Sequence, residues 1–238
     1  MTVLALLIDL GVVAGIGGLL SLDRRATFQF MLSQPLVAVT IIGLYFGDLH
    51  TAVMLGSLLQ LLWMSCVMFG ANVPHNDTLA AITIAAGAFL FGRYVEPIDS
   101  STWIIALLVG APTCLLGQWI DIRLDHMNLA LAERADKAGE AGETHVISFL
   151  IFRAIVQAFA VNTVATLVTS ALVFTVLLYT RPLLSLSAQE AMNVIATYVV
   201  PALGLAVALA LLRHRRALAL AITVFITVAT VITQGVNS

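Results

Sequence analysis

Residues 70–81 read GANVPHNDTLAA, gathering an Asn, a His, a second Asn, an Asp and a Pro between two long apolar runs. Asn72, His75, Asn76 and Asp77 offer amide donors and acceptors, an imidazole and a carboxylate, while Pro74 forces the chain out of helix. Two accounts fit. Asp77 or Thr78 could cap the helix that follows by accepting from its free N–H groups, which explains one or two of these residues as a turn. A polyhydroxylated ligand wants the same mixture, because each hydroxyl both donates and accepts and an unpaired polar site is costly. No positive cluster lines the stretch, which argues against a phosphorylated ligand.

Other polar groups lie inside apolar runs, where a central charge costs about 2.5–3.5 kcal/mol on insertion scales. Asp9 sits within the first run, either as a coupling-ion or structural carboxylate or as the partner of another span near the interface. Gln60 is flanked by SLL and LLW, placed to join two helices or to bind a ligand hydroxyl. Arg153 and Gln157 are one turn apart, an arrangement expected to pair with an acid or to snorkel. The histidines, His50, His75, His126, His145 and His214, are scattered, with no HExxH or CxxC spacing, so neither a metal site nor a cofactor is expected. No GxSxG nucleophile setting appears either, and the chain does not read as an enzyme.

These groups must be positioned by elements that live in lipid. Of 238 residues, 61% are hydrophobic and only 10% charged, with a mean hydropathy of +1.04. A soluble domain carries about 25% charged residues. The expected fold is therefore all-α, a single polytopic membrane domain over residues 1–238. A crossing needs about 20 apolar residues, whereas runs of 10–14 suit re-entrant pieces. By that measure 3–22, 51–71, 102–120, 161–179, 192–212 and 217–233 are full or nearly full spans. The pieces 35–47, 78–92 and 146–160 are short or polar, and interrupted helices of this kind build the substrate sites of many transporters.

The polar interval 121–145 reads as an interfacial helix joining two halves, its glycines ending it, or as a docking surface for a soluble partner. Arg24–Arg25, 121–145 and RHRR at 213–216 hold the basic residues and favour the cytoplasm. The N-terminal run lacks a basic region and a cleavage signal and reads as a retained helix. The pair Gly11 and Gly15 and the GIGG at 15–18 suit close helix contact, and Cys66 and Cys114 read as buried thiols. A net charge of −2 gives no sign of a nucleic-acid partner.

The order of motifs over 17–82 resembles a known family. An LDR…Q turn is followed by a Pro opening the next apolar piece, then GLYFGD, G…LQLLW, and GANVP ahead of an Asn/Asp pair and TLAA. This pattern resembles the membrane-embedded IIC subunit of the mannose–fructose–sorbose family of the bacterial phosphotransferase system. LAERADKAGEAGE with THVISFLIFRAIVQAF resembles the family's polar segment and following helix. The resemblance implies a multi-pass inner-membrane sugar permease that moves a hexose or hexosamine inward. It also implies an oligomer, a IID membrane subunit, and a cytoplasmic IIA/IIB phosphocarrier that performs the covalent chemistry. Carried over, Asp23 and Gln29 occupy the polar positions of the first turn, Gln60 the family's Glu or Gln, and Asn72 and Asn76 the polar loop. The family's Pro-Pro-Asp is here PHND, so His75 replaces the second Pro, Asn76 the Asp, and Asp77 supplies a carboxylate one position later. Gln34 stands where a basic residue is usual. The expected sugar-binding set is Asp23, Gln29, Gln60, Asn72, His75, Asn76 and Asp77. Rival readings are an ion-coupled transporter using Asp9 and Asp77, and a non-transporting IIC serving in assembly or regulation.

Overall fold

The computed structural model describes residues 3–27, 29–64, 73–211 and 223. The described elements are helical: α1 Val3–Arg25, α2 Pro35–Phe46, α3 Leu49–Leu62, α4 Asp77–Tyr94, α5 Ser100–Gly110, α6 Thr113–Glu140 and α7 Thr144–Thr180. A short 3₁₀ turn at Arg181–Leu183 leads to α8 Leu186–Val194, which passes through a π-helical turn at Ile195–Val199 into α9 Val200–Leu211. By length and composition, α1, the α5–α6 stretch, α7 and the α8–α9 stretch are each long and apolar enough to cross a membrane.

The axis of the fold is α4. Every residue from Thr78 to Phe91 is buried, because α1, α2, α5, α6 and α7 pack around it. A helix apolar on all sides has no solvent face to present, and its Ala-rich sequence lets neighbours come close. At Gly87 an added Cβ would run into the side chain of Val173 on α7. The expected small-residue contact on α1 is made at Gly17 and Gly18, which meet Thr166, Thr163 and Phe159 of α7. Gly11 and Gly15 have nothing near them among the described residues.

Helices α2 and α3 form a short hairpin of 12 and 14 residues. Gly47 turns it at φ 82°, with its N–H on the Gly43 carbonyl, and Asp48 caps α3 by accepting from Thr51 N–H at 3.0 Å. This conformation suits glycine, which pays no Cβ penalty there. Pro35 opens α2, where its missing N–H costs nothing.

Several expected boundaries move. The run 51–71 ends its helix at Leu62, where the chain tightens into a turn at Trp63 and Met64; residues 65–72 lie outside the described residues. The run 102–120 is divided at Ala111–Pro112, since Pro112 cannot donate to the helix. Pieces 146–160 and 161–179 are one 37-residue helix, α7. The polar residues that divide them by hydropathy do not break the backbone: Arg153 is exposed, and Gln157 reaches the Met127 sulfur at 3.5 Å. The interval 121–145 holds no separate element up to Glu140, because its residues continue α6, with Leu124 and Leu131 on the buried face. Gly142, at φ 74°, then turns the chain into α7. The span expected at 217–233 falls outside the described residues, Thr223 excepted.

Candidate functional site at the start of α4

Asn76 is the cap of α4. Its Oδ1 accepts from Leu79 N–H at 2.9 Å, and its backbone N–H donates to the Cys114 carbonyl at 3.0 Å. Capping therefore falls to Asn76 and not to Asp77 or Thr78, since the chain becomes helical one residue earlier than the sequence pattern suggests. Asn76 is 1% exposed and seated against Gly117 of α6, where an added Cβ would lie 2.5 Å from its own Cβ. Its Nδ2 donates to Asp121 Oδ2 at 3.1 Å.

The organiser of this region is Arg24, at the end of α1. Its Nη1 donates to Asp77 Oδ1 at 2.5 Å and to Asn76 Oδ1 at 3.0 Å, and its Nη2 donates to the His75 carbonyl at 2.9 Å. The Arg24 and Asp77 side chains are only 7% and 14% exposed. A planar guanidinium with a fixed fork of donors can satisfy several acceptors at once, which a lysine cannot match. The His75 ring pairs through Nδ1 with Gln118 Oε1 at 2.9 Å, and Gln118 Nε2 donates to the Val73 carbonyl at 2.5 Å.

Sequence reasoning took Arg24 only as a marker of sidedness and found no positive charge along the loop. The fold overturns that. Arg24 is distant in sequence, and the antiparallel packing of α1 on α4 carries it to the loop. Arg25, Gln118, Asp121 and Asp125 were also missed. Asp121 and Asp125 fall on one face of α6 by their i,i+4 spacing, and Arg25 Nη2 meets Asp125 Oδ2 at 2.7 Å.

The other expected residues adjoin this centre. Asp23, 3% exposed, accepts from Phe30 N–H at 2.7 Å and Ser33 N–H at 3.1 Å, fastening the connection between α1 and α2. That connection reaches α4 where Thr78 Oγ1 donates to the Ser33 carbonyl at 2.8 Å. Gln29 lies on it, exposed and at φ 53°. Gln60 Oε1 accepts from Leu36 N–H at 3.3 Å, a free donor at the start of α2, while its Nε2 donates to Gln34 Oε1 at 2.8 Å. The fold thus gathers Asp23, Gln60, His75, Asn76 and Asp77 around one end of α4. Asn72 lies outside the described residues.

Asp9 belongs to the opposite end of α4. It accepts from Tyr45 Oη at 2.7 Å, Tyr94 Oη at 2.9 Å and Arg93 Nη1 at 2.8 Å, and Arg93 also lies 4.8 Å over the Phe46 ring. Of its two readings, these contacts fit the one that makes it the partner of another span.

Comparison with known proteins bears on the family and the fold. A family profile described as the sorbose-specific IIC component of the PTS system matches residues 3–237. The sorbose-specific EIIC component of Klebsiella pneumoniae is 30% identical over 138 residues, 58% of this chain and 46% of that protein. The mannose-specific EIIC component of Escherichia coli K12 is 28% identical over the same shares. The matched stretch therefore spans about half the length of these curated relatives. A cryo-EM structure of the mannose transporter ManYZ in complex with microcin E492 has a chain of the same fold, with a TM-score of 0.58 at 20% identity over 96% of this chain and 87% of that one.

Proposed function

The chain belongs to the sorbose-specific IIC family of the phosphotransferase system, multi-pass membrane permease components, and on that premise we propose that it moves a hexose or hexosamine across the bacterial inner membrane for phosphorylation on the far side. In this reading it works with a IID membrane subunit as part of an oligomer. A cytoplasmic IIA/IIB carrier supplies the phosphoryl group, and this chain performs no covalent step.

The observation that carries the reading is the convergence of Arg24, His75, Asn76, Asp77, Gln118 and Asp121 where α1, α4 and α6 meet. Neutral amides, an imidazole, a guanidinium and carboxylates together can donate to and accept from every hydroxyl of a sugar ring. The groups already answer one another, so a sugar would enter by exchanging its hydroxyls for these internal bonds. Charges that stay paired during the exchange avoid the penalty of an isolated buried ion. Gln60 on α3, Gln34 at the start of α2 and Gln29 would complete the set from the hairpin side, with Asp23 holding the connection in place.

The test is uptake of labelled hexoses and aminohexoses by cells that express the chain with its IID and IIA/IIB partners and lack other sugar permeases. Uptake that requires phosphoenolpyruvate and delivers sugar phosphate supports the reading. Sugar accumulating unphosphorylated in vesicles without phosphoenolpyruvate overturns it.

A further inference from the structure

One face of α6 changes character without a break in the helix. Leu115 and Leu116 are 55% and 42% exposed on a stretch long and apolar enough to cross a membrane, where such side chains meet lipid. Trp119 follows, 54% exposed, and the Arg123 guanidinium lies 5.1 Å over its ring. An exposed tryptophan beside a cation marks the level where hydrocarbon gives way to headgroups. At about 100° per residue, Trp119, Arg123, Arg134 and Lys137 fall within about 60° of one another, a single line down the helix. All three cations on it are exposed.

The neighbouring helix adds a fourth cation. Gln157 of α7 touches the Met127 sulfur at 3.5 Å, and Met127 stands four residues after Arg123 and seven before Arg134, on the same line. Arg153 is one turn from Gln157 along α7 and exposed, so it borders that line. Among the described residues, Arg123, Arg134, Lys137 and Arg153 form no ion pair with a carboxylate, whereas Arg24, Arg25, Arg93 and Arg181 each do. Even Glu133, one turn before Lys137, makes no pair with it. The acids of α6, Asp125, Glu133, Asp136 and Glu140, centre about 100° away around the helix. The hairpin thus keeps its cations on one side, unanswered from within.

We propose that this face binds anionic phospholipid headgroups, the hairpin of α6 and α7 leaning so that Arg123, Arg134, Lys137 and Arg153 lie along the membrane surface. From Trp119 to Lys137 the line runs about 27 Å, whereas a headgroup layer is about 5–8 Å deep, so an upright hairpin leaves its last cations in water. Leaning sets the whole line against the phosphodiesters and turns the acidic side away from them. A guanidinium forks onto phosphate oxygens, and every cation near the surface adds an attraction that salt screens. Continuity favours lipid over a soluble acidic protein: Leu115, Leu116 and Trp119 already give this side of α6 to the bilayer one turn before the first cation.

The experiment uses the full chain in nanodiscs of phosphatidylcholine with a minor share of phosphatidylglycerol, one lipid or the other carrying bromine on its acyl chains. Bromine quenches tryptophan by contact, and Trp119→Phe gives the share of Trp119 by difference. Native mass spectrometry of the released chain counts the lipids that stay bound. We expect phosphatidylglycerol to be enriched about threefold or more over its bulk share at Trp119, with the excess lost in high salt. Arg123→Gln, Arg134→Gln, Lys137→Gln and Arg153→Gln combined are expected to remove both the enrichment and the retained phosphatidylglycerol. Arg134→Gln with Lys137→Gln alone is expected to lower the enrichment to about half, which keeps the test decisive if the fourfold variant folds poorly. Quenching at the bulk level in the unaltered chain, enrichment that survives the fourfold change, or no effect of the double change overturns the proposal. Bulk-level quenching together with binding of the IIA/IIB carrier that the four substitutions abolish would make this face a dock for a soluble protein instead. The readout contains no sugar, so it stands or falls apart from the transport reading.

Discussion

Arg24 and Asp77 meet at 2.5 Å where the end of α1 crosses the start of α4, and both side chains are largely buried. Fifteen residues earlier on α1, Asp9 meets Arg93 at 2.8 Å at the other end of α4. The antiparallel pair is therefore clamped at both ends, about 22 Å apart at 1.5 Å per residue. One clamp also holds the proposed sugar groups, and the two can be tested separately.

Removing one partner of a buried pair leaves the other charge uncompensated, at about 3–5 kcal/mol. Arg24→Ala is expected to lower the thermal midpoint and cut sugar uptake more than tenfold, while Arg24→Ala with Asp77→Ala recovers part of the lost stability. A double-mutant cycle on thermal unfolding reads this directly. Additive effects of the two substitutions would show that the pair is not coupled.

Asp77→Ala and Gln60→Ala are each expected to abolish uptake while the protein still inserts in the membrane. Membrane fractionation with an uptake assay separates the two outcomes. If both variants transport at the normal rate, these residues do not hold substrate.

Gly117 is the floor under Asn76, and a methyl there would lie 2.5 Å from Asn76 Cβ and 2.9 Å from its Cγ. Overpacking of this kind costs about 1–3 kcal/mol. Gly117→Ala is expected to displace the 73–77 loop and reduce uptake at least tenfold, with insertion intact. Normal uptake and normal unfolding in Gly117→Ala would mean that the seat of Asn76 is immaterial.

Asp9 accepts from Arg93 and two tyrosines, an arrangement that suits a structural pairing better than a free coupling carboxylate. Asp9→Asn is expected to cost about 1–3 kcal/mol of stability, the pair being partly exposed on the Arg93 side. Uptake driven by phosphoenolpyruvate should persist at a comparable rate. Vesicles that transport on an ion gradient alone, and lose that transport with Asp9→Asn, would establish the ion-coupled rival.

How much of this was legible follows from what a single sequence records. Pro35, Gly47 and Gly142 act locally, and the elements they bound or turn fall close to where hydropathy and breakers place them. The convergence of polar residues at 73–77 was visible for the same reason. Arg24 was not, because its role depends on α1 folding back along α4, and nothing in the chain near Arg24 signals that. Asp121 and Asp125 were hidden within a segment whose charge suggested a solvated connector, although they sit where apolar α6 turns polar. Hydropathy also divided α7 at Arg153 and Gln157, since it averages over a window and ignores which face a side chain occupies.

At 1.5 Å per residue the 37 residues of α7 extend about 55 Å, close to twice the ~30 Å of hydrocarbon. One end of that rod must leave the oily layer or lean steeply within it, and the hairpin with α6 rides on the Thr144 end. Used as a lever, a lean of 10° would sweep that end through about 10 Å. Small rocking inside the bilayer would thus become a large displacement at its rim.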